Sequence, residues 1–186
     1  MALIILDRDG VINEDSDDYI KSPEEWVPIP GSLEAIARLS RAGYRIAVAT
    51  NQSGVARGLF DSDTLQRIHD KMRGAVAAAG GEISAIFFCP HGPDDGCACR
   101  KPRAGLLRDI AAHFHVDLSG VPAVGDSLRD IQAAQAVGAR PILVRTGKGE
   151  NTVMRGEGLA GVAVYADLAA AVDALLRDSA SITGRC

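Results

Sequence analysis

The chain has 186 residues, a formal net charge of -4, 47% hydrophobic and 24% charged residues, and 4% aromatics. That balance excludes a disordered tail, a collagen-like repeat and a disulfide-dense miniprotein, and it offers neither a basic face nor stacking aromatics for nucleic acid. No apolar run approaches the ~20 residues of a membrane span, and Met1 to Leu6 has neither the basic start nor the cleavage site of a signal peptide, so a cytoplasmic chain is expected.

Ala2 to Leu6 is wholly apolar, as a strand buried on both faces should be. Pro23, Pro28 and Pro30 punctuate an irregular stretch in which Trp26 reads as a local packing anchor. Ser32 is then expected to cap a helix carrying Leu33, Ile36, Ala37 and Leu39 and stopped by Gly43. Tyr44 to Ala49 reads as the second strand. A polar loop leads into a helix from Asp61 or Ser62 to Gly80-Gly81, with Leu65, Ile68, Met72 and Val76 on its apolar face and His69 on its polar, solvated face. Ile83 to Phe88 is a third strand. A helix with Leu106, Leu107 and Ile110 follows, with His113 and His115 near its end. Next come a strand at Val121 to Val124, a helix at Leu128 to Val137 closed by Gly138, and a strand at Pro141 to Val144. Thr146 to Gly161 reads as a surface loop before a sixth strand, Val162 to Tyr165, and a last helix, Leu168 to Leu176.

This alternation argues for one α/β domain over residues 1–186, a central parallel sheet with helices on both faces. Ligands of such sheets sit beyond the carboxyl ends of the strands. Those ends carry Asp7, Thr50, Cys89 and, after Gly125, Asp126.

The first cluster is Asp7-Arg8-Asp9-Gly10-Val11-Ile12-Asn13. Two carboxylates this close at the end of a buried strand repel unless a proton or cation compensates, and Mg²⁺ with its preference for oxygen ligands can do so. The plain alternative is a pair of turn-capping acids before Gly10. The stretch resembles the DxDG motif that opens the haloacid dehalogenase phosphohydrolases. The remaining motifs of that family occur in order: a hydroxyl at Thr50, a lysine at Lys101 in Arg100-Lys101-Pro102, and an acidic GDxxxD at Gly125 to Asp130. The resemblance spans about residues 1 to 148 and implies a Rossmann-like fold of that superfamily. It further implies that Asp7 attacks phosphorus to form an aspartyl-phosphate, and that Asp9 protonates the leaving oxygen and later activates water. Thr50, Lys101 and the segment Asn51, Gln52, Ser53, with the turn at Gly10, would cradle the phosphoryl group. Mg²⁺ would sit on Asp7, Asp126 and the backbone carbonyl of Asp9, with Asp130 supporting the site or acting as a weaker ligand.

The second cluster is Cys89-Pro90-His91 followed, after five residues, by Cys97-Ala98-Cys99. CxH and CxC pairs joined by a polar loop satisfy a tetrahedral Cys₃His zinc site, and four protein ligands mark it as structural. Arg100-Lys101 follows at once, so a zinc-binding loop over 89–99 would fix the lysine. The fourth cysteine, Cys186, is expected to be exposed and functionally silent.

Together, DRDGVIN, TNQSGVARG, CPH with CxCRKP, and GDS resemble the D-glycero-D-manno-heptose 1,7-bisphosphate 7-phosphatases. The same frame is similar to histidinol-phosphate phosphatases, which the short zinc-loop spacing resembles more. The heptose resemblance implies that Arg57, Arg100 and Lys148 contact a second phosphate, and that Asp15 to Tyr19 contact sugar hydroxyls. Only 43 positions separate Asp7 from Thr50 and 51 separate Thr50 from Lys101, each interval already holding a helix, so no cap domain is expected. A monomer acting on a phosphorylated small molecule, without nucleic acid or membrane, follows. A catalytically weak phosphate- or metal-binding module is the alternative of another class, but such a module would be expected to lose Asp7, Asp9 or Lys101.

Overall fold

Leu3, Ile4, Ile5 and Leu6 form the first strand, β1 (Leu3–Leu6), and all four are buried because successive side chains feed opposite faces of the sheet. The computed structural model describes the backbone of residues 2–183 and the side chains of residues 2–178, so Cys186 lies outside the described residues. Around β1 run β2 (Arg45–Asn51), β3 (Ala85–Cys89), β4 (Pro122–Gly125), β5 (Arg140–Val144) and β6 (Ala163–Tyr165). All pairings are parallel, in the order β3-β2-β1-β4-β5-β6. The order reverses between β1 and β4, which opens a crevice at their carboxyl ends.

The helices are α1 (Ser32–Arg41), α2 (Ser62–Ala78), α3 (Gly105–Phe114), α4 (Leu128–Gln135), α5 (Gly149–Arg155) and α6 (Leu168–Thr183). Ile4, Leu6, Ile46 and Val48 pack with α1, α2 and α6 through Ile36, Leu39, Ile68, Met72 and Val172. Leu3, Ile5, Ala47 and Ala49 pack on the other face with α3 and α4 through Leu106, Leu107, Ile110 and Ala134. The expected layers are present. The intervals β1 to β2 and β2 to β3 hold only α1, a 3₁₀ turn at Pro23–Glu25, and α2, so no cap domain is inserted. Trp26 is buried, with the Lys71 ammonium 5.9 Å from its ring centroid, as a local anchor should be. No helix among the described residues is long and apolar enough to cross a membrane.

Three local expectations are corrected. Ser32 is the first residue of α1 and does not cap it; Gly31, at φ 84°, takes the cap position, and the Ser32 hydroxyl donates to the Ile12 carbonyl at 2.6 Å. β2 runs through Thr50 and Asn51 because β3 pairs with it to that point, Thr50 opposite Phe88 and Asn51 opposite Cys89. The segment 146–161 is more than a surface loop: it contains α5, and its first residues touch the crevice described next.

Candidate active site

Lys101 is the hub of the crevice. It is buried, and its ammonium lies 3.0 Å from Asp7 Oδ1 and 2.5 Å from Asp130 Oδ1 and donates to the Ala49 carbonyl at 2.8 Å. Asn51 at the end of β2 holds the lysine's backbone from both sides, its amide donating to the Lys101 carbonyl at 3.1 Å and accepting from the Lys101 amide at 3.0 Å. Burial opposes the charge on Lys101, but Asp130 and Asp7 outweigh it and raise the ammonium above the usual lysine range. Both oxygens of Asp130 are engaged: Oδ1 by Lys101, and Oδ2 by the Ser127 amide at 3.0 Å and hydroxyl at 2.6 Å. Burial alone would raise Asp130, yet Lys101 and Ser127 hold it below the usual carboxylate range. Asp130 therefore sets Lys101 and the start of α4.

Asp7, Asp126 and Asp130 each bring a carboxylate oxygen within 4.8 Å of the others. Burial pushes the Asp7 carboxyl well up; Lys101 opposes this, and Asp130, Asp126 and Asp9 add to it. Burial, then Asp130, pushes Asp126 up to about 7, against the Lys148 amide that donates to its Oδ2 at 2.8 Å. Desolvation and mutual repulsion raise both carboxyls, and a hard divalent cation with a preference for oxygen ligands would offset that repulsion, so Asp7 and Asp126 fit Mg²⁺.

Room for Asp126 comes from two glycines with positive φ. A Cβ on Gly10 (φ 80°) would lie 2.0 Å from Asp126 Oδ2, and one on Gly147 (φ 57°) 2.3 Å from it. The Thr146 hydroxyl, donating to the Gly10 carbonyl at 2.6 Å, ties the two turns together.

Asp9 is held by four donors. Arg8 presents Nε to Oδ1 at 3.0 Å and Nη2 to Oδ2 at 3.1 Å, Asn13 Nδ2 donates to Oδ1 at 2.8 Å, and Gln52 Nε2 donates to Oδ2 at 2.9 Å. Gln52 Nε2 also reaches Thr50 Oγ1 at 2.9 Å, so the β2 end and the first motif share one network. Sequence reasoning passed over Arg8, which is fully buried, and misplaced His69, which is also buried. His69 leaves the polar face because Arg8 Nη1 donates to its Nε2 at 3.3 Å and Phe88 lies against its ring at 5.9 Å. Burial and Arg8 depress its pKa to about 3, which keeps it neutral.

These groups face one cavity of about 180 Å³, lined among others by Asp7, Asp9, Thr50, Asn51, Gln52, Ser53, Lys101 and Asp126. Asp15, Tyr19, Arg100 and Lys148 also line it, as does Arg129, which the sequence reading did not single out. Lys148 is paired with Asp15 at 3.4 Å and Asp17 at 3.7 Å. Two expected contacts fall outside the lining: Gly10 serves as clearance for Asp126, and Arg57 lies over Tyr19, 5.9 Å from its ring centroid.

Next to the cavity, Cys89, His91, Cys97 and Cys99 converge. Cys89 Sγ is 3.1 Å from Cys99 Sγ, 3.6 Å from Cys97 Sγ and 3.5 Å from His91 Nδ1, and the three cysteines are free. Four such atoms within 4.8 Å fit one tetrahedral ion.

Comparison with known proteins places the architecture. The family of polynucleotide kinase 3 phosphatases matches residues 2–134, and the HAD-hydrolase-like family matches residues 98–171. The D-glycero-beta-D-manno-heptose-1,7-bisphosphate 7-phosphatase of Bordetella bronchiseptica is 60% identical over 179 residues, covering 96% of this chain and 100% of the relative. The chain belongs to the heptose-bisphosphate phosphatase group of the HAD-like hydrolases. A crystal structure of the B. bronchiseptica D,D-heptose 1,7-bisphosphate phosphatase, complexed with magnesium and phosphate, superposes with a TM-score of 0.94 at 61% identity, over 96% of this chain and 99% of that one. The corresponding phosphatase of Burkholderia thailandensis gives 0.76 at 49% identity, over 95% and 99%. HAD-like membership agrees with the strand order and with an acid at the end of both β1 and β4, the two strands that flank the crevice.

Proposed function

We propose that this protein is a Mg²⁺-dependent phosphomonoester hydrolase that removes the 7-phosphate of D-glycero-D-manno-heptose 1,7-bisphosphate through an aspartyl-phosphate on Asp7. The observation that carries the reading is the 60% identity over the whole length of a heptose-bisphosphate phosphatase. Asp7 and Asp126, with the backbone carbonyl of Asp9, would hold Mg²⁺. The ion supplies positive charge that offsets the repulsion between Asp7 and a phosphate monoester.

Asp7 Oδ attacks phosphorus while Asp9 gives a proton to the departing sugar oxygen. Lys101 and the Thr50 hydroxyl, aimed into the same cavity, hold the phosphoryl oxygens as charge moves onto them. Asp9 then takes a proton from water as it attacks the aspartyl-phosphate. Asn51, Gln52 and Ser53 complete the cradle. Arg100 and Lys148 would meet the second phosphate, and Asp15 and Tyr19 the sugar hydroxyls; all four line the cavity. The Cys89, His91, Cys97 and Cys99 cluster would hold a structural zinc that braces the loop presenting Lys101. The enzyme would act as a cytoplasmic monomer.

Steady-state kinetics with and without Mg²⁺ test the chemistry, and substrate comparison tests the specificity. Arginine contacts to a second phosphate are worth about 1.5–3 kcal/mol, or roughly tenfold or more in kcat/KM. The heptose bisphosphate should accordingly exceed histidinol phosphate by at least that factor. A preference for histidinol phosphate would replace the substrate and spare the mechanism, whereas no Mg²⁺-dependent turnover of any phosphomonoester would leave only a binding module. Freshly purified protein should contain about one equivalent of zinc. Stripping it should lower the unfolding midpoint by about 5 °C or more. Less than half an equivalent in unchelated protein would count against the site.

A further inference from the structure

The DRDG motif contains a residue that the phosphatase mechanism leaves unexplained. Arg8 lies between the two aspartates, yet its side chain is wholly buried and turned away from the cavity lining. Burying a guanidinium is costly unless its N–H groups are paired. Here the pairing is directional: Nε and Nη2 form a fork on both oxygens of Asp9, and Nη1 donates to His69 Nε2. The Arg8 carbonyl also gathers the amides of Val11, Ile12 and Asn13 at 3.3, 2.8 and 3.2 Å, so the same residue shapes the turn that follows. His69 comes from α2, and the Phe88 ring lies against it immediately before Cys89.

We propose that Arg8 and His69 are positioning residues that fix the Asp9 carboxyl group, which must first take up a proton on one oxygen, for delivery of that proton to the leaving group. This rests on the assignment of Asp9 as acid and base made above. Arg8 sets the rotation of the carboxylate through two parallel bonds, and a lysine could not reproduce that fork. His69 sets Arg8 in turn, by accepting from Nη1, the nitrogen that does not face Asp9, from a helix anchored in the core.

A carboxylate swung out of line impairs departure of a poor leaving group far more than that of a good one, since a phenolate leaves without protonation. kcat/KM reports the steps up to departure of the leaving group and omits hydrolysis of the aspartyl-phosphate, so it isolates this effect. The test compares the sugar phosphate with p-nitrophenyl phosphate in the full-length wild type, His69→Leu, His69→Gln and Arg8→Lys. His69→Leu and Arg8→Lys should lose at least about tenfold in kcat/KM on the sugar phosphate, the scale of a mispositioned acid, and less than about threefold on p-nitrophenyl phosphate. His69→Gln keeps a carbonyl acceptor and should recover most of the loss. Cooperative thermal unfolding identifies variants that remain folded. Equal losses on both substrates in folded His69 variants, or no loss on either, would overturn the positioning role. If the wild type itself turns over neither substrate, the hydrolase reading fails, and this inference with it.

Discussion

Asp7→Asn should lose at least about 10⁴-fold in kcat, because the amide cannot form the acyl-phosphate and no neighbouring carboxylate occupies its place. Asp126 is tied to the Lys148 amide, Asp130 to Lys101 and Ser127, and Asp9 to Arg8, Asn13 and Gln52. The fold should survive. Burial and three nearby acids already push the Asp7 carboxyl well above the ordinary range, so removing its charge relieves strain that Lys101 only partly offsets. Its unfolding midpoint should stay within about 5 °C of the wild type, a shift of roughly 1–2 kcal/mol for a chain of this size. Single-turnover assays with excess enzyme check the first point and calorimetry the second. Near-normal turnover by the amide variant would remove Asp7 from the mechanism.

Lys101→Met should damage activity and stability together. It removes the one cation lying between Asp7 and Asp130 and leaves both acids buried without it. Breaking a buried pair in this way costs about 3–5 kcal/mol, which for 186 residues lowers the midpoint by roughly 6–20 °C. The loss in kcat should reach about 10² to 10³, the scale of removing one donor to developing negative charge. The sign of the pH dependence follows from Asp130. Its carboxyl is held low in the folded wild type, so it contributes stability that is present above the ordinary carboxylate pKa and lost as pH falls. The variant lacks that contribution, and its remaining buried acids favour protonation. The gap between the two proteins should therefore hold down to about pH 4 and narrow below it, as pH falls through the depressed pKa of Asp130. Thermal melts across about pH 2 to 8 measure it, and a gap that stays constant below about pH 4 would show that Lys101 does not act through the Asp130 charge.

Much of the crevice was legible because its chemistry lies at strand ends, and strand ends are marked by where an apolar run stops. Leu6 to Asp7 and Val124 to Asp126 are abrupt changes from buried to ionisable, and each falls where parallel strands open to solvent. The Cys₃His cluster was legible for a similar reason: ligands close in sequence need little help from the fold to meet. Groups whose role depends on a partner far along the chain were not. His69 sits on an otherwise polar helix stripe, and nothing local to α2 signals that Arg8, 61 positions earlier, would take it into the interior. Arg57 meets the cavity only through Tyr19, a lining residue over which it lies, a contact that its own motif does not signal. The glycine-rich 146–161 segment looked like a loop because α5 is too short for a clear period, and because Thr146 and Lys148 act on Gly10 and Asp126 through contacts that sequence order hides.

By itself the sequence determined the layers, the order of the four motifs, the absence of a cap domain and the clustering of the three cysteines with His91, since each depends on short-range patterning of apolar, acidic and sulfur side chains. The tertiary structure alone decided how the charges are shared. It gave Lys101 to both Asp7 and Asp130, tied the second oxygen of Asp130 to Ser127, cleared space for Asp126 with Gly10 and Gly147, and buried Arg8 behind Asp9. The physical reason is that desolvation and Coulomb interaction depend on distance through space, and in a parallel sheet the strands that meet at one crevice are separated by whole helices along the chain.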